Sequence, residues 1–130
     1  SAELGVQEDV DLPGFVANPY QYMARASLLV LSSLYEGLPG VLIQALACGC
    51  PVVSTDCPGG SKEILADGAY GALVPIGDVQ AMASAMEAQL DQPTARHTLL
   101  QRAEDFSVDG AVDNYLKLLD SVVTDAANRN

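Results

Sequence analysis

One carboxylate stands out by its position in the sequence. Glu36 is the only acidic residue between Asp11 and Asp56, although the chain carries 17 Asp and Glu residues. It lies in the segment SLYEGLPG, residues 33–40, between two apolar runs. A carboxylate there either stabilises the start of the following helix, by ~0.5–1 kcal/mol, or accepts hydrogen bonds from a ligand such as the hydroxyl groups of a sugar.

The residues after Glu36 have the features of an anion-binding helix start. Pro39 suits the first position of a helix, where its missing N–H costs nothing. The amides of Gly40, Val41 and Leu42 are then predicted to point out of the helix without intrahelical partners. Because the helix dipole adds about half a positive charge at this end, a diphosphate could be held here by backbone groups alone.

A second glycine-containing loop, TDCPGGS at residues 55–61, follows the next apolar run. Pro58 turns the chain, Gly59 and Gly60 remove side chains, and Ser61 is a suitable N-cap for a following helix. A bulky polar ligand would fit against this bare backbone. Both loops can equally be ordinary connections between strands and helices that need glycine for steric reasons.

Gln44 lies eight residues after Glu36, about two helical turns away, on an otherwise apolar helix. A polar amide in such surroundings needs a hydrogen-bond partner. Since an amide group both donates and accepts, it suits the diol of a ribose.

The composition limits the class of protein. The chain has 130 residues, 49% of them hydrophobic, which is enough for one domain with a core. Its net charge is −11 with only six Lys and Arg residues, so nucleic acid and anionic membranes are not expected partners.

Cys48, Cys50 and Cys57 lack the paired spacing of zinc sites, and we interpret them as structural thiols of a reduced, cytosolic compartment. His97 is interpreted as a helix-surface residue. No apolar run reaches the ~18 residues of a membrane span, and the first residues do not resemble a signal peptide.

Short apolar runs alternate with helical patterns, which is typical of βα units and a parallel sheet. We predict four strands, at residues 10–16, 28–33, 51–55 and 72–75. The second and third are apolar on successive residues, so we expect them at the centre of the sheet with helices on both faces.

Helices are predicted between and after these strands. Their approximate ranges are 19–25, 39–48, 61–66, 79–90, 93–105 and a final amphipathic helix around 115–123. Asp78 is the expected N-cap of the fourth helix, whose predicted apolar face consists of Val79, Met82, Ala85, Met86 and Leu90. Residues 125–130 are expected to fray. The chain is thus predicted to be a single α/β domain over 1–130, with a helical C-terminal part at about 79–127.

In such sheets ligands bind beyond the carboxyl ends of the strands. The loops there carry the unusual residues described above. The segments EGLPGVLIQALACGCPVVSTDCPGGSKEIL and GALVPIGDVQAMASAM closely resemble the C-terminal donor-binding domain of family 4 retaining glycosyltransferases, which have the two-domain GT-B fold. The resemblance covers residues 10–86. It implies a partial Rossmann-like parallel sheet that forms the C-terminal half of a GT-B enzyme.

The resemblance also implies roles for individual residues. The carboxylate of Glu36 would be the catalytic group and would contact hydroxyls of the donor sugar. By the resemblance, the backbone near Phe15 and Val16 would frame the base, and the amides around Leu38, Gly40 and Val41 would contact the diphosphate. Gln44 would contact the ribose, and Gly59 and Gly60 would line the pocket beside the sugar. The resemblance implies no cofactor, because the nucleotide sugar is the substrate. It also implies no metal ion.

Two departures from the family pattern affect these expectations. The family has a second glutamate where this chain has Gln44, which keeps hydrogen-bonding capacity but loses charge. The family's donor domain also opens with two further strands, and an N-terminal acceptor domain precedes them. We therefore expect the 130 residues to be a truncated domain, inactive alone, whose incomplete sheet either repacks or is filled by a complementing fragment or by a second copy.

The expected function is that of the donor-binding part of a glycosyltransferase. It would transfer a hexose, with retention, from a nucleotide diphosphate sugar, in particular a UDP-sugar, to a glycan or lipid-linked glycan in cell-surface polysaccharide biosynthesis. The expected location is cytoplasmic, peripheral at the inner membrane through the N-terminal domain. The alternative is a noncatalytic module that binds nucleotide sugars or proteins. A generic dinucleotide-binding domain is disfavoured, because no G-x-G-x-x-G follows the first predicted strand.

Overall fold

The described residues form a three-stranded parallel sheet with helices packed around it. The computed structural model describes the backbone of residues 2–127 and the side chains of residues 3–124. Strands β1 (Leu29–Leu31), β2 (Val52–Thr55) and β3 (Ala72–Val74) lie in the order β1-β2-β3. Leu29 is paired with Val52, and Val53 with Ala72. The predicted α/β class with a partial parallel sheet is confirmed.

Within residues 2–127, six α-helices follow the order that the sequence predicts. They are α1 (Tyr20–Met23), α2 (Gly40–Cys48), α3 (Ser61–Ile64), α4 (Val79–Asp91), α5 (Arg96–Glu104) and α6 (Val108–Ala127). Two short 3₁₀ turns, Ala2–Leu4 and Gln7–Asp9, precede them.

Helices cover both faces of the sheet, as predicted. On one face α2, α3 and α5 form the core, whose fully buried residues include Leu46, Val52, Ile64 and Leu99. On the other face α4 packs against β2 and β3. Because successive strand residues point to opposite faces, the buried Val53 faces α4 while Val52 faces the core.

The predicted strand at residues 10–16 is wrong. This segment has an irregular backbone, and its Phe15 side chain is 95% exposed. Pro13 lacks an amide donor, and Gly14 has a φ of +71° that no strand accepts. No neighbouring strand in the described part of the chain offers this segment a partner, so the pattern alone does not produce a strand.

The strand predicted at residues 28–33 forms as β1, but its predicted central position is wrong. Within residues 2–127, β1 lies at the edge of the sheet. The helix α2 covers the face that carries Leu29 and Leu31, whereas α4 packs mainly against β2 and β3. Val30 is consequently 38% exposed. The outer edge of β1 therefore presents unpaired backbone groups.

The predicted helix caps have different outcomes. Asp78 is confirmed as the N-cap of α4, because its Oδ1 accepts a hydrogen bond from the amide of Ala81 at 2.9 Å. Ser61 is not the cap of α3. Gly60 occupies that position, and the hydroxyl of Ser61 is buried without a hydrogen-bond partner among the described residues.

The apolar faces of the later helices are less buried than the sequence predicts. Met82, Ala85 and Met86 of α4 are half-buried, but Val79 and Leu90 are exposed, which corrects that part of the predicted face. Helix α6 forms as an amphipathic helix, and its described side chains are largely exposed. Residues 125–127 of the tail that is predicted to fray continue α6, which corrects that part of the prediction, and residues 128–130 lie outside the described residues.

Arg102 of α5 joins three parts of the fold. Its Nε donates to the carbonyl oxygen of Ile64 at 2.9 Å and its Nη2 to that of Glu63 at 2.6 Å, which satisfies acceptors at the end of α3. Its Nη1 donates to Asp105 at 2.7 Å. The guanidinium also lies over two aromatic rings, 5.2 and 4.7 Å from their centroids, which belong to Tyr70 and Phe106.

We expect Arg102→Ala to lower the free energy of unfolding by about 3 kcal/mol, because it leaves the part-buried carbonyl oxygen of Ile64 without the guanidinium donor and removes the packing of the guanidinium against two aromatic rings. Arg102→Lys should recover less than half of this loss, since an ammonium group lacks the planar fork. Urea unfolding measures both values. The control Lys117→Ala removes an exposed charge on α6 and should change the free energy by less than about 0.5 kcal/mol. An Arg102→Ala effect as small as that of the control would contradict the prediction.

Candidate donor-binding site

Two loops meet at the carboxyl ends of β1 and β2. The amide of Glu36 donates to the carbonyl oxygen of Pro58 at 3.1 Å, and the amide of Gly60 donates to that of Gly37 at 2.7 Å. These two hydrogen bonds join the loop at residues 33–40 to the loop at 56–60. The structure thus brings together the two segments in which the sequence concentrates its unusual residues.

Gly59 makes this close approach possible. Its φ is +129°, and a Cβ atom there would collide with the carbonyl oxygen of Glu36 and lie 2.9 Å from that of Gly37. At Gly60 a Cβ atom would lie 2.8 Å from Cδ1 of Leu38, which is a flexible side chain. The backbone contact between the loops therefore requires glycine at 59 for steric reasons, whether or not a ligand is bound.

The carboxylate of Glu36 is held from its own loop. The hydroxyl of Ser33 donates to its Oε1 at 2.6 Å, and the side chain is half-buried. Glu36 does not cap α2: Pro39 occupies the N-cap position, and no side chain caps that helix. The interpretation of Glu36 as a helix cap is therefore wrong, and its Oε2 has no hydrogen-bond partner among the described residues.

The start of α2 offers two free amides rather than three. The helix begins at Gly40, and no acceptor within the described residues is found for the amides of Gly40 and Val41. The amide of Leu42 donates to the carbonyl oxygen of Pro39 at 2.9 Å, so the prediction that it is free is wrong. Two free amides at the positive end of a nine-residue helix still suit an anion.

Gln44 lies one turn after Gly40 on α2, which places the two residues on the same face of the helix. Its side chain is half-buried, and none of the described residues makes a hydrogen bond to its amide. Leu38, between Glu36 and the helix, is 61% exposed. Glu36, Leu38 and the first turn of α2 thus share one loop–helix junction with Gly59 and Gly60.

Phe15 and Val16 are not brought into this junction. Phe15 is exposed, while Val16 lines an apolar groove of about 370 Å³ with Met23 and Val30 along the outer edge of β1. No residue of the two loops lines that groove, and within residues 2–127 no hydrogen bond joins Phe15 or Val16 to them. Their implied contact with a nucleotide base remains a prediction.

Three basic side chains of the described structure are engaged away from the start of α2. Lys62 lies 3.4 Å from Asp67, Arg96 donates to the carbonyl oxygen of Cys48 at 2.7 Å, and Arg102 binds the end of α3. Within residues 2–127, the groups found at the start of α2 that suit an anion are the free amides and the positive end of the helix dipole.

The remaining candidate ligands do not converge. Burial, and then the neighbouring Cys48, raises the pKa of the Cys50 thiol, which favours its neutral form. Cys57 is buried and His97 is exposed on α5. In the described part of the chain no three His, Cys, Asp or Glu residues are grouped as metal ligands. No described helix is long and apolar enough to cross a membrane.

Two polar residues of this site were not singled out from the sequence. Thr55, the last residue of β2, donates from Oγ1 to the carbonyl oxygen of Ser33 at 2.6 Å, and Ser33 holds Glu36. The three-residue spacing between Ser33 and Glu36 is a signal that could have indicated a local side-chain hydrogen bond.

Comparison with known proteins identifies the family. The family described as glycosyl transferases group 1 matches residues 1–92. A diphospho-undecaprenol-glycan N-acetylgalactosaminyltransferase of Campylobacter jejuni is 36% identical over 78% of this chain and 28% of its own length. A lipopolysaccharide core biosynthesis glycosyltransferase of Rhizobium meliloti is 32% identical over 93% of this chain and 37% of its own.

A third relative, an exopolysaccharide phosphotransferase of Streptomyces coelicolor, is 32% identical over 97% of this chain but only 14% of its own length. The chain therefore spans little more than a third, at most, of each of these three relatives. The resemblance to glycosyltransferases that the sequence motifs indicate is confirmed, and this chain belongs to the glycosyl transferases group 1 family.

Proposed function

We propose that this chain is the donor-binding part of a glycosyltransferase that takes a hexose from a nucleotide diphosphate sugar, in particular a UDP-sugar. The observation that carries the proposal is the junction of the two loops. There a carboxylate with one unengaged oxygen lies four residues before a helix whose first two amides are free. Hydroxyls of a sugar and a diphosphate are the groups that these acceptors and donors suit.

The proposed chemistry follows from the same groups. Glu36 accepts hydrogen bonds from hydroxyls of the donor sugar and orients it. The amides of Gly40 and Val41 stabilise the negative charge that grows on the diphosphate as it leaves. Gln44, on the same face of α2, binds the ribose with its amide. Retention at the sugar is what the family resemblance implies, and the proposal includes no metal ion because the amides supply the charge stabilisation.

The proposed acceptor is a glycan or lipid-linked glycan of a cell-surface polysaccharide. Support comes from the names of two relatives, one acting on a diphospho-undecaprenol-linked glycan and one belonging to lipopolysaccharide core biosynthesis. The acceptor would be bound by a preceding domain of a longer protein, located in the cytoplasm and peripheral at the inner membrane. We propose accordingly that the 130 residues alone transfer no sugar.

The open edge of β1 supports the proposal of a longer protein. Val30 is partly exposed there, beside the apolar groove that Val16 and Met23 line. A further parallel strand would pair with the free backbone groups of β1 and cover this groove. We propose that a preceding segment of the longer protein supplies that strand. A second copy of the chain is the alternative, and it would make the full-length protein a dimer through this edge.

Binding of nucleotides to the full-length protein tests the proposed site. Val41→Pro removes one of the two free amides at a helix position where proline is tolerated, whereas Val41→Ala keeps it. We expect UDP to bind about tenfold more weakly to Val41→Pro, with UMP little affected, because one charge-assisted hydrogen bond to the diphosphate is lost. Calorimetry measures both affinities. The Val41→Ala variant should bind UDP within about twofold of the unchanged protein.

If UDP, GDP and ADP all fail to bind the unchanged full-length protein, the donor-binding proposal is wrong. If UDP binds but Val41→Pro and Val41→Ala bind it equally well, the start of α2 is not the diphosphate site.

A second candidate is a noncatalytic module that binds nucleotide sugars or another protein. One observation favours it: the relative named an exopolysaccharide phosphotransferase contains a segment similar to almost this whole chain within a protein about seven times longer. The presence of Gln44, where the family has a glutamate, is compatible with a noncatalytic module. Nucleotide-sugar binding by the full-length protein without sugar transfer would support this candidate over the first.

A further inference from the structure

Two short hydrogen bonds connect the buried centre of the sheet to the carboxylate of Glu36. Thr55 is 4% exposed at the end of β2, and its hydroxyl donates to the carbonyl oxygen of Ser33 at 2.6 Å. The hydroxyl of Ser33 in turn donates to Oε1 of Glu36, also at 2.6 Å. This is the length typical of a hydroxyl donating to an ionised carboxylate.

The surroundings of Glu36 explain why such a connection matters. The Glu36 side chain is half-buried, but its neighbours Tyr35 and Leu38 are exposed and Gly37 has no side chain, so these three residues do not hold the carboxylate in place. The hydrogen bonds from Glu36 to Pro58 and from Gly60 to Gly37 fix the backbone but not the carboxylate. Ser33 is the group in the described structure that fixes one carboxylate oxygen.

We propose that Ser33 is a positioning residue for Glu36, which rests on the proposed donor-binding function. By holding Oε1, Ser33 directs Oε2 toward the space in front of α2, where a hydroxyl of the donor sugar donates to it. Thr55 holds the backbone of Ser33 by its hydrogen bond. The position of the Glu36 carboxylate is therefore fixed relative to strand β2. Accurate placement matters here because small displacements of a group that contacts the reacting sugar lower the rate strongly.

A purely local role is the competing explanation, since Ser33 and Glu36 are only three residues apart and their hydrogen bond could simply stabilise the loop. The two roles differ in what they change. A loop-stabilising residue affects UDP binding and protein stability as well as transfer. A positioning residue affects the step that involves the sugar and leaves the binding of UDP, which has no sugar, unchanged.

The test uses the full-length protein with UDP-glucose, UDP-galactose and UDP-N-acetylglucosamine as donors. We expect Ser33→Ala to lower kcat about 10- to 100-fold, with the affinity for UDP and the urea midpoint close to those of the unchanged protein. Ser33→Thr keeps the hydroxyl and should recover most of the activity. Ser32→Ala, at the exposed neighbouring serine, is the matched control and should behave like the unchanged protein.

A double-mutant cycle with Glu36 makes the test specific. In the Glu36→Ala background, Ser33→Ala should cause no further loss of kcat, because the carboxylate that Ser33 positions is absent. Independent losses that multiply would overturn the proposal, and so would a parallel decrease in UDP affinity, or a kcat of Ser33→Ala within twofold of the unchanged protein. An unchanged protein that binds UDP but transfers or hydrolyses no donor would overturn the proposed catalytic function itself, and with it this role of Ser33.

Discussion

Sugar transfer by the full-length protein is expected to fall about 100-fold when Glu36 is replaced with Gln. The substitution keeps the size of the side chain and an oxygen that can accept from Ser33, but it removes the negative charge that strengthens hydrogen bonds from the sugar. Losing one charge-assisted hydrogen bond corresponds to about 1.5–3 kcal/mol, and each 1.4 kcal/mol changes a rate about tenfold. The free energy of unfolding should change by less than about 1 kcal/mol, because Glu36 is not a helix cap.

Asp56→Asn is the matched control for this experiment. Asp56 is an exposed carboxylate at the carboxyl end of β2, so its removal changes the charge near the loops by the same amount. Steady-state transfer with a UDP-sugar should separate the two variants clearly. If Asp56→Asn slowed transfer as much as Glu36→Gln, the effect would come from general electrostatics, and the assignment of Glu36 as the sugar-contacting group would be wrong.

The strands β2 and β3 could be predicted from the sequence because their signals are local and strong. Pro51, Val52 and Val53 are apolar on successive positions, which indicates burial on both faces, and Val52 and Val53 are both buried. The start of α4 could be predicted from Asp78 in the same way, since an N-cap depends on neighbouring amides alone.

The segment at residues 10–16 could not be assigned correctly because a strand depends on its partners. Its composition resembles that of a strand, yet the residues described here supply no neighbour for it. The position of β1 at the edge of the sheet has the same cause. Ser61 shows a different limit of prediction from sequence. The amide of Gly60 donates to Gly37 of the opposite loop, and this tertiary contact makes Gly60 the N-cap of α3, although Ser61 has the better local preference for that position.

For the site, the meeting of the two loops follows from the general rule that carboxyl ends of parallel strands lie at one edge of a sheet. The hydrogen bonds that join the loops could not be predicted, because they require the φ of +129° at Gly59, which only the tertiary contact reveals. The sequence left two reasons open for glycine here, access for a ligand and the steric need of an ordinary connection between strand and helix. The structure supplies a steric reason for Gly59 that applies in the absence of any ligand.

Gly59→Ala should therefore have a large effect on both the fold and the proposed activity. Its Cβ atom would collide with the carbonyl oxygen of Glu36, a backbone atom that moves only if the loop moves. The two hydrogen bonds between the loops would be lost or lengthened, and the φ of +129° is unfavourable for alanine. We expect the free energy of unfolding to fall by about 3 kcal/mol, and transfer to fall at least tenfold because Glu36 moves with its loop.

Gly77→Ala separates the steric collision from backbone strain. Gly77 also has a positive φ, +78°, but a Cβ atom there would have no neighbour within 4 Å, so this variant should lose only about 1 kcal/mol and keep its transfer rate. Urea unfolding and steady-state transfer, measured on both variants, compare a glycine whose Cβ would collide with the opposite loop with one whose Cβ would not. Equal losses of stability in the two variants would mean that positive φ alone explains the glycine at 59, and that the Glu36 loop does not depend on its contact with the Gly59 loop.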